Sequence, residues 1–462
     1  MSTTITPESG TEWRGDGVSM IEVLGALNAV RKRFALAEAS DAELPHPRNW
    51  VMTLVAVASS DAEERRAQRA TRAIGNHHPA QVIVIRDQPD MKSGRIDATI
   101  TTDTLRPASA SAIQCELITL RVRGAAGEHL AGLVDPLLPS GVPTYLWWVG
   151  TPPFGKRELI DALRICDALV VDSARFGAPY HSFLQLTQLA EHSHQGLGVG
   201  DLQWARLEPW RESIAQFFSP LDRRPFLNGI SEIGVDYAGE ARGNRIAAAL
   251  LIGWFASALG WKLKLAAGGD GGTVVAHFAA EGWQPVQVAF RSVPKAHLAQ
   301  GEISAIRIVG GAGGRTFQLS VLRDPERARH VGPDVGAGGY QQLHAAGGED
   351  DAGLEIAQRK VMRHRDVLHG NAEQLHHTAT GDPPGESVPP RPTVFVRDRR
   401  ALDNSLVLLT LIDIGGADTL RHVQRVEPED EATLLLGLLS HGIRDKVFGR
   451  SLTAAAELMH AI

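Results

Sequence analysis

The sequence predicts two folded parts of different class: an N-terminal mixed-sheet, Rossmann-like α/β domain and a C-terminal α+β domain of antiparallel sheet and helices. Three observations predict this. Apolar, β-branched runs at 50–59 and 81–87 flank a charged helical stretch, DAEERRAQRATRAIGNH. Strand, helix and strand in that order make a parallel pair with a right-handed crossover. Beyond about residue 222 short apolar runs alternate with the turn sequences GGDGG, EGWQP and GGAGG, the texture of a meander packed on a helix. Finally, 462 residues with 43% hydrophobic and 22% charged side chains leave room for two or three domains, each with its own core.

Residues 1–17 are polar and are expected to be disordered. The stretch SMIEVLGALNAVRKRFALAE then carries Ile21, Leu24, Leu27, Val30 and Phe34 at helical spacing, with Ser19 as a cap. Pro45 and Pro47 close this arm, which occupies 1–45. In the α/β domain, 46–221, Asp61 caps and Gly75 stops the charged helix. IDATITTDT and CELITLRVRG follow as strands whose alternation fits an antiparallel or edge addition to a parallel sheet. GEHLAGLVDPLLP reads as a helix, VPTYLWWVG as a strand, and KRELIDALRICDALVVDSARF as a helix running into a strand. Residues 178–220 read as helical, and Pro220 with the polar LDRRP marks the boundary.

The α+β domain, 222–462, begins with a helix at 243–260. Strands TVVAHFAA, PVQVAFRSV, EISAIRIVG and RTFQLSVLRD follow. Residues 325–392 are rich in Gly, His and Pro with little apolar period, and are expected to form a mobile insertion with a weak helix near 354–368. PTVFVRD and SLVLLTLID are further strands. EDEATLLLGLLSHGI and RSLTAAAELMHAI close the chain as helices.

Composition narrows the function. A net charge of -6 lacks the basic footprint of a nucleic-acid binder. The start has no basic residues leading into an apolar run, and the most apolar stretch, 246–261, is too short to span a bilayer, so it reads as a core helix. Two cysteines, Cys115 and Cys166, are too few for a disulfide framework. No membrane association is expected, and a cytoplasmic location is.

The sequence carries no recognisable catalytic, nucleotide or metal motif. After the first parallel strand a nucleotide fold needs a glycine-rich phosphate loop, but the sequence there is SSDAEE. His77–His78, His192/His194, His364/His369 and His376–His377 lack metal-ligand spacing and read as solvated loop residues. No G-x-S-x-G elbow occurs. Asp172–Ser173 at a strand end reads as a helix cap or turn. No catalytic, cofactor or metal site is therefore expected. What stands out is aromatic and basic: Trp147 and Trp148, then Trp204, Arg206, Trp210 and Arg211 in WARLEPWR. Trp and Arg serve cores and interface hot spots alike, which makes Arg206, Trp210, Arg211 and Trp148 the candidate partner contacts.

At these residues the sequence resembles the glucose-6-phosphate dehydrogenase assembly protein family, OpcA. The resemblance rests on HHPAQVIVI, DPLLPSGVPTYLWWVG, ALVVDSARF, DLQWARLEPWRESIAQFF, LLIGWFASALGW and IRDKVFGRSLTAA, in that order, over about 46–324 and 394–458. It implies a non-catalytic partner that promotes the active oligomer of glucose-6-phosphate dehydrogenase, which opens the oxidative pentose phosphate pathway and supplies NADPH. The alternative is a sugar-phosphate enzyme or sensor with a cleft between the two domains, where Arg211, Arg223, Arg224 and Arg245 would converge.

Overall fold

The computed structural model describes residues 8–41, 50–75, 78–91, 94–105, 113–192, 196–239, 243–268, 273–279, 282, 284–295, 298–323, 341–342, 406–415, 419–426, 430–441 and 443–462. The chain divides into two units. The first is Met1–Arg206 with Glu429–Ala456, and the second is Leu207–Pro428 with Glu457–Ile462.

The first unit is built on an eight-stranded sheet. In chain order its elements are β1 (Glu8–Val18), α1 (Met20–Asp41), β2 (Met52–Ala58), α2 (Asp61–Gly75), β3 (Ala80–Gln88), β4 (Arg95–Leu105), β5 (Ile113–Arg123), α3 (Leu130–Val134), β6 (Thr144–Trp148), α4 (Arg157–Ala162), β7 (Ala168–Val171), α5 (Pro179–His192), β8 (Gly198–Asp201) and α6 (Leu202–Arg206). The spatial order is β1-β4-β5-β3-β2-β6-β7-β8. From β5 to β8 every pairing is parallel, while β4 and β1 add antiparallel at one edge. That is the doubly wound arrangement, with the order reversing between β2 and β6.

Local chemistry explains the elements. Ser19 and Glu22 form a capping box at the start of α1: the Glu22 N–H donates to Ser19 Oγ at 3.3 Å and the Ser19 N–H to Glu22 Oε2 at 2.8 Å. Strand β2 is buried at every position, as a strand covered on both faces must be. A helix from the far end of the sequence, α9 (Glu431–His441), completes this core. Its Leu434, Leu435 and Leu439 pack with Leu54, Val82, Trp147 and Leu202.

The second unit holds α7 (Glu208–Phe218), β9 (Ile230–Ala238), α8 (Ile246–Leu259), β10 (Lys262–Gly268), β11 (Val274–Ala279), β12 (Val286–Val293), β13 (Ile303–Ala312), β14 (Arg315–Arg323), β15 (Gln341–Gln342), β16 (Leu406–Ile414) and β17 (Leu420–Val426). The last helix, α10 (Lys446–His460), follows α9. The sheet runs β10-β11-β12-β9-β13-β14-β16-β17-β15. Gly313 and Gly314, at φ +59° and +78°, form the two-residue turn between β13 and β14, where both central residues need positive φ. Gly260 ends α8 in the left-handed conformation. Phe217, Phe218, Phe226 and Phe317 form one aromatic cluster, with ring centroids 4.7 to 6.4 Å apart.

Several expectations need correcting. Residues 8–17, within the stretch 1–17 expected to be disordered, belong to the edge strand β1 (Glu8–Val18). An edge strand pairs on one side only and needs no apolar alternation. Ile21 is 81% exposed; the buried stripe of α1 is Val23, Leu27, Val30 and Phe34. Strands β8, β9, β10 and β17 were not expected, and β12 pairs with β9 in parallel, so the second sheet is mixed rather than a pure meander. The division falls at Arg206/Leu207 rather than 221/222, and α9 belongs to the first unit because its leucines complete that core. The insertion at 325–392, apart from Gln341–Gln342, and the strand expected at PTVFVRD lie outside the described residues.

Candidate functional site

Doubly wound sheets carry their chemistry at the carboxyl ends of the strands. Here those ends hold a buried charge cluster. Asp172 follows β7, Asp201 ends β8, and both are 0% exposed. Arg66, from the buried side of α2, donates Nη2–H to Asp172 Oδ2 at 2.7 Å and Nη1–H to the Val149 carbonyl at 2.9 Å, and pairs with Glu431 of α9. Arg206, on α6, grips the same aspartate with both terminal nitrogens, at 2.7 and 3.0 Å. The Arg66 guanidinium also stands 5.8 Å from the Trp147 ring centroid.

The two aspartates respond in opposite directions. Burial alone would raise the Asp172 pKa, but hydrogen bonds from Arg206 and the charges of Arg206, Arg66 and Arg175 outweigh it and hold the carboxyl below its usual range. Asp201 accepts from the Ser173 N–H, the Ser173 hydroxyl and the Gln203 N–H at 3.0, 2.6 and 3.0 Å. Burial nonetheless pushes its pKa up to about 6.

This constellation forms a clasp between strand ends and helices. Its carboxylates are committed to guanidinium or N–H donors. Ser173 is 0% exposed and donates directly to a carboxylate, with no imidazole between them to act as general base. Asp172 precedes a short helical turn, Ser173–Arg175, but its side chain makes no cap hydrogen bond, because both its oxygens are taken by arginines.

The crevice where the strand order reverses is also occupied from within. The Ser59 N–H donates to Glu63 Oε2 at 2.6 Å, and the Glu63 N–H to Ser60 Oγ at 3.3 Å. A Cβ on Gly150, just past β6, would lie 2.6 Å from Glu63 Oε1. A carboxylate therefore fills the helix N-terminus where a dinucleotide fold receives the pyrophosphate.

The four candidate contacts separate. Trp148 and Trp210 are 4% and 3% exposed and are core residues, correcting the expectation that they present a surface. Arg206 spends both terminal nitrogens on Asp172. Arg211 is half-buried on α7. Trp204 is buried too, and its Nε1–H donates to Asp445 at 3.0 Å. Arg66 was missed because a helix with this many charged residues reads as solvated on sequence alone. Among the described residues no three His, Cys, Asp or Glu side chains cluster to hold a metal, and no helix is long and apolar enough to cross a membrane. His77, His194, His364, His369, His376 and His377 lie outside the described residues.

Comparison with known proteins decides the family. The family model for the C-terminal domain of the glucose-6-phosphate dehydrogenase subunit matches residues 197–452, more than half of the chain. The chain belongs to this OpcA family. The model for the N-terminal domain of the same protein matches 71–188. Proteins named OpcA of the OxPP cycle are similar over part of their length. That of Nostoc punctiforme is 32% identical over 207 residues, 44% of this chain and 43% of its own. That of Synechocystis is 36% identical over 149 residues, 32% and 30%. The chain spans less than half the length of these relatives. Solved structures with some similarity include an oxidoreductase from Sinorhizobium meliloti (TM-score 0.33, 10% identity, 58% of this chain and 74% of that one). Biliverdin reductase from Synechocystis is another (TM-score 0.32, 10% identity, 59% and 81%). At such scores neither likeness carries an argument about this OpcA-family chain.

Proposed function

We propose that this chain is a non-catalytic assembly factor and allosteric activator of glucose-6-phosphate dehydrogenase, promoting its active oligomer in the oxidative pentose phosphate pathway of the cytoplasm. The observation that carries the reading is the family match over 197–452, together with 71–188. The closed crevice at Glu63 and the fully paired cluster around Asp172 support a role without chemistry of its own. Activation then comes from binding one oligomer or conformation of the dehydrogenase better than another, since only differential affinity shifts an equilibrium. An affinity ratio of 5 to 150 corresponds to about 1–3 kcal/mol of coupling.

The test mixes the chain with the dehydrogenase of the same organism. Activity at low glucose 6-phosphate is expected to rise, and sedimentation to show a larger dehydrogenase oligomer. Equal activity and equal sedimentation with and without the chain refute the proposal. Arg211 is the candidate contact to replace first, because Arg206 also holds Asp172 and its loss would confound contact with folding.

A further inference from the structure

Beside α2 the first unit has a cavity of about 240 Å³ lined by Asp61, Glu64, Arg65, Gln68, Gln88, Arg121 and Arg123. We propose that this cavity is a binding site for a small phosphorylated polyol, a sugar monophosphate in chemical class. The inference does not depend on the assembly reading.

The cavity exists because of the way β3 connects to β5. In a doubly wound sheet a helix usually crosses over between such parallel neighbours. Here the chain instead travels through strand β4, on the far side of β5. The α2-side face of β5 is therefore left without a crossover helix. Leu117, Thr119, Arg121 and Arg123 on that face are half-buried or exposed, while Ile118, Leu120 and Val122 on the other are buried. Asp61, Glu64, Arg65 and Gln68 recur at the spacing of one helix face and form the opposite wall. Gln88 and Arg123 are paired in register at the carboxyl ends of β3 and β5, the end of the sheet where such folds bind ligands.

The lining is entirely charged or amide, and its charges are unequally committed. Glu64, buried, accepts from Arg121 Nε at 3.0 Å and from Gln68 at 3.3 Å. Asp61 accepts from Arg86 Nε at 3.3 Å, so both carboxylates of the lining already hold a guanidinium. Arg123 pairs with Asp97 at 2.7 Å, yet its Nε is buried without a hydrogen-bond partner among the described residues. The Arg123 guanidinium therefore keeps hydrogen-bonding capacity beyond its pairing with Asp97. Arg65 is exposed and makes no ion pair among the described residues.

The surplus is thus guanidinium, the group that grips a phosphoryl oxygen pair. The carboxylates of Asp61 and Glu64 can accept from the hydroxyls of a polyol, and the amides of Gln68 and Gln88 can accept from and donate to them, contacts that inorganic phosphate and a plain dicarboxylate cannot make. The volume is below the roughly 300–1,000 Å³ of pockets for drug-sized ligands, which fits a monosaccharide phosphate and not a dinucleotide.

Isothermal titration of the full chain tests this with glucose 6-phosphate, glucose, inorganic phosphate and succinate. Glucose 6-phosphate is expected to bind saturably, at least tenfold tighter than phosphate or succinate, with glucose silent. R65A and R65E are expected to weaken it at least tenfold, with R65K retaining most of the affinity. Arg65 is exposed, so these variants keep the melting temperature of the parent. No saturable binding of glucose 6-phosphate at millimolar concentration, equal affinity for phosphate or succinate, or affinity unchanged in R65E would each overturn the proposal.

Discussion

Arg66 and Asp172 meet at 2.7 Å although 106 positions separate them in the chain, and the same guanidinium holds Glu431 of the returning helix. One side chain on α2 thus ties the first crossover to a strand end on the other half of the sheet and to a segment that re-enters the unit after more than two hundred residues.

That clasp predicts a severe stability loss. D172A takes from Arg206 its carboxylate partner and from Arg66 one of two, and these side chains are only 28% and 10% exposed. Breaking a buried pair by removing one partner costs about 3–5 kcal/mol. Urea unfolding followed by tryptophan fluorescence measures it, and a loss below about 1 kcal/mol would show that the cluster is solvated in solution.

Asp201 gives the pH dependence its sign. Its folded pKa of about 6 lies above the ordinary 3.8, so between those values the folded state holds more protons than the unfolded one. Its ionisation therefore weakens the fold as pH rises from about 4 to above 6, by an amount on the order of 3 kcal/mol. Asp172 acts oppositely: its pKa is lowered, so its contribution is full above the ordinary carboxylate range and fades as pH falls through the folded value. D201N keeps an oxygen for the two N–H donors and an amide for the Ser173 hydroxyl. The stability of D201N relative to the parent is expected to climb from pH 4 to pH 7 in unfolding curves; a flat difference would place Asp201 in a more polar setting.

How much of this was legible in the sequence follows from which forces are local. The parallel pair β2 and β3 with α2 between them showed in apolar runs broken by a charged helix, and the Gly313–Gly314 turn in its glycines. Strand β8, with the sequence GVGD, did not show, because its two glycines admit close packing by Ile443, 3.3 Å and 3.2 Å from where Cβ atoms would sit on Gly198 and Gly200, from a segment no local window contains. The clasp was half visible. Arg206 and the Asp172–Ser173 strand end were singled out, but nothing local distinguishes Arg66 from Arg65 beside it, though one is buried and the other exposed.

Gly229 supplies a packing prediction in the second unit. A Cβ there would lie 1.9 Å from the Gly311 carbonyl oxygen, and one on Gly310 2.1 Å from the Gly229 oxygen. Both obstacles are backbone, at a register shift where Ile230 pairs with Gly310, so neither can swing aside. G229A is expected to cost about 3 kcal/mol or more by overpacking. A melting temperature equal to that of the parent would refute the close approach.

The thiol of Cys166 is pushed up to about 12, first by burial and then by the neighbouring Asp167 charge. The thiolate is the reactive form. Iodoacetamide at pH 7.5 is therefore expected to leave Cys166 unmodified in the folded chain over hours while labelling it after denaturation, as peptide mass spectrometry would read. Rapid labelling of the native chain would contradict this burial.

Glu63 carries the last prediction. A pyrophosphate needs bare N–H groups and close backbone approach at the helix N-terminus. Here the Ser59 N–H already has the Glu63 carboxylate as acceptor at 2.6 Å, and a second anion in the same place would meet a full negative charge. NADP is accordingly expected to show no saturable binding below about millimolar concentration in calorimetry, which corresponds to roughly 4 kcal/mol of affinity. E63A removes the repelling charge but leaves Ser59, Ser60 and Asp61 where a dinucleotide loop has glycines, so it is expected to gain weak phosphate binding without acquiring the dinucleotide. Micromolar affinity for NADP in the parent chain, lost when Ser60 is replaced by a bulkier residue, would reopen the crevice as a cofactor site.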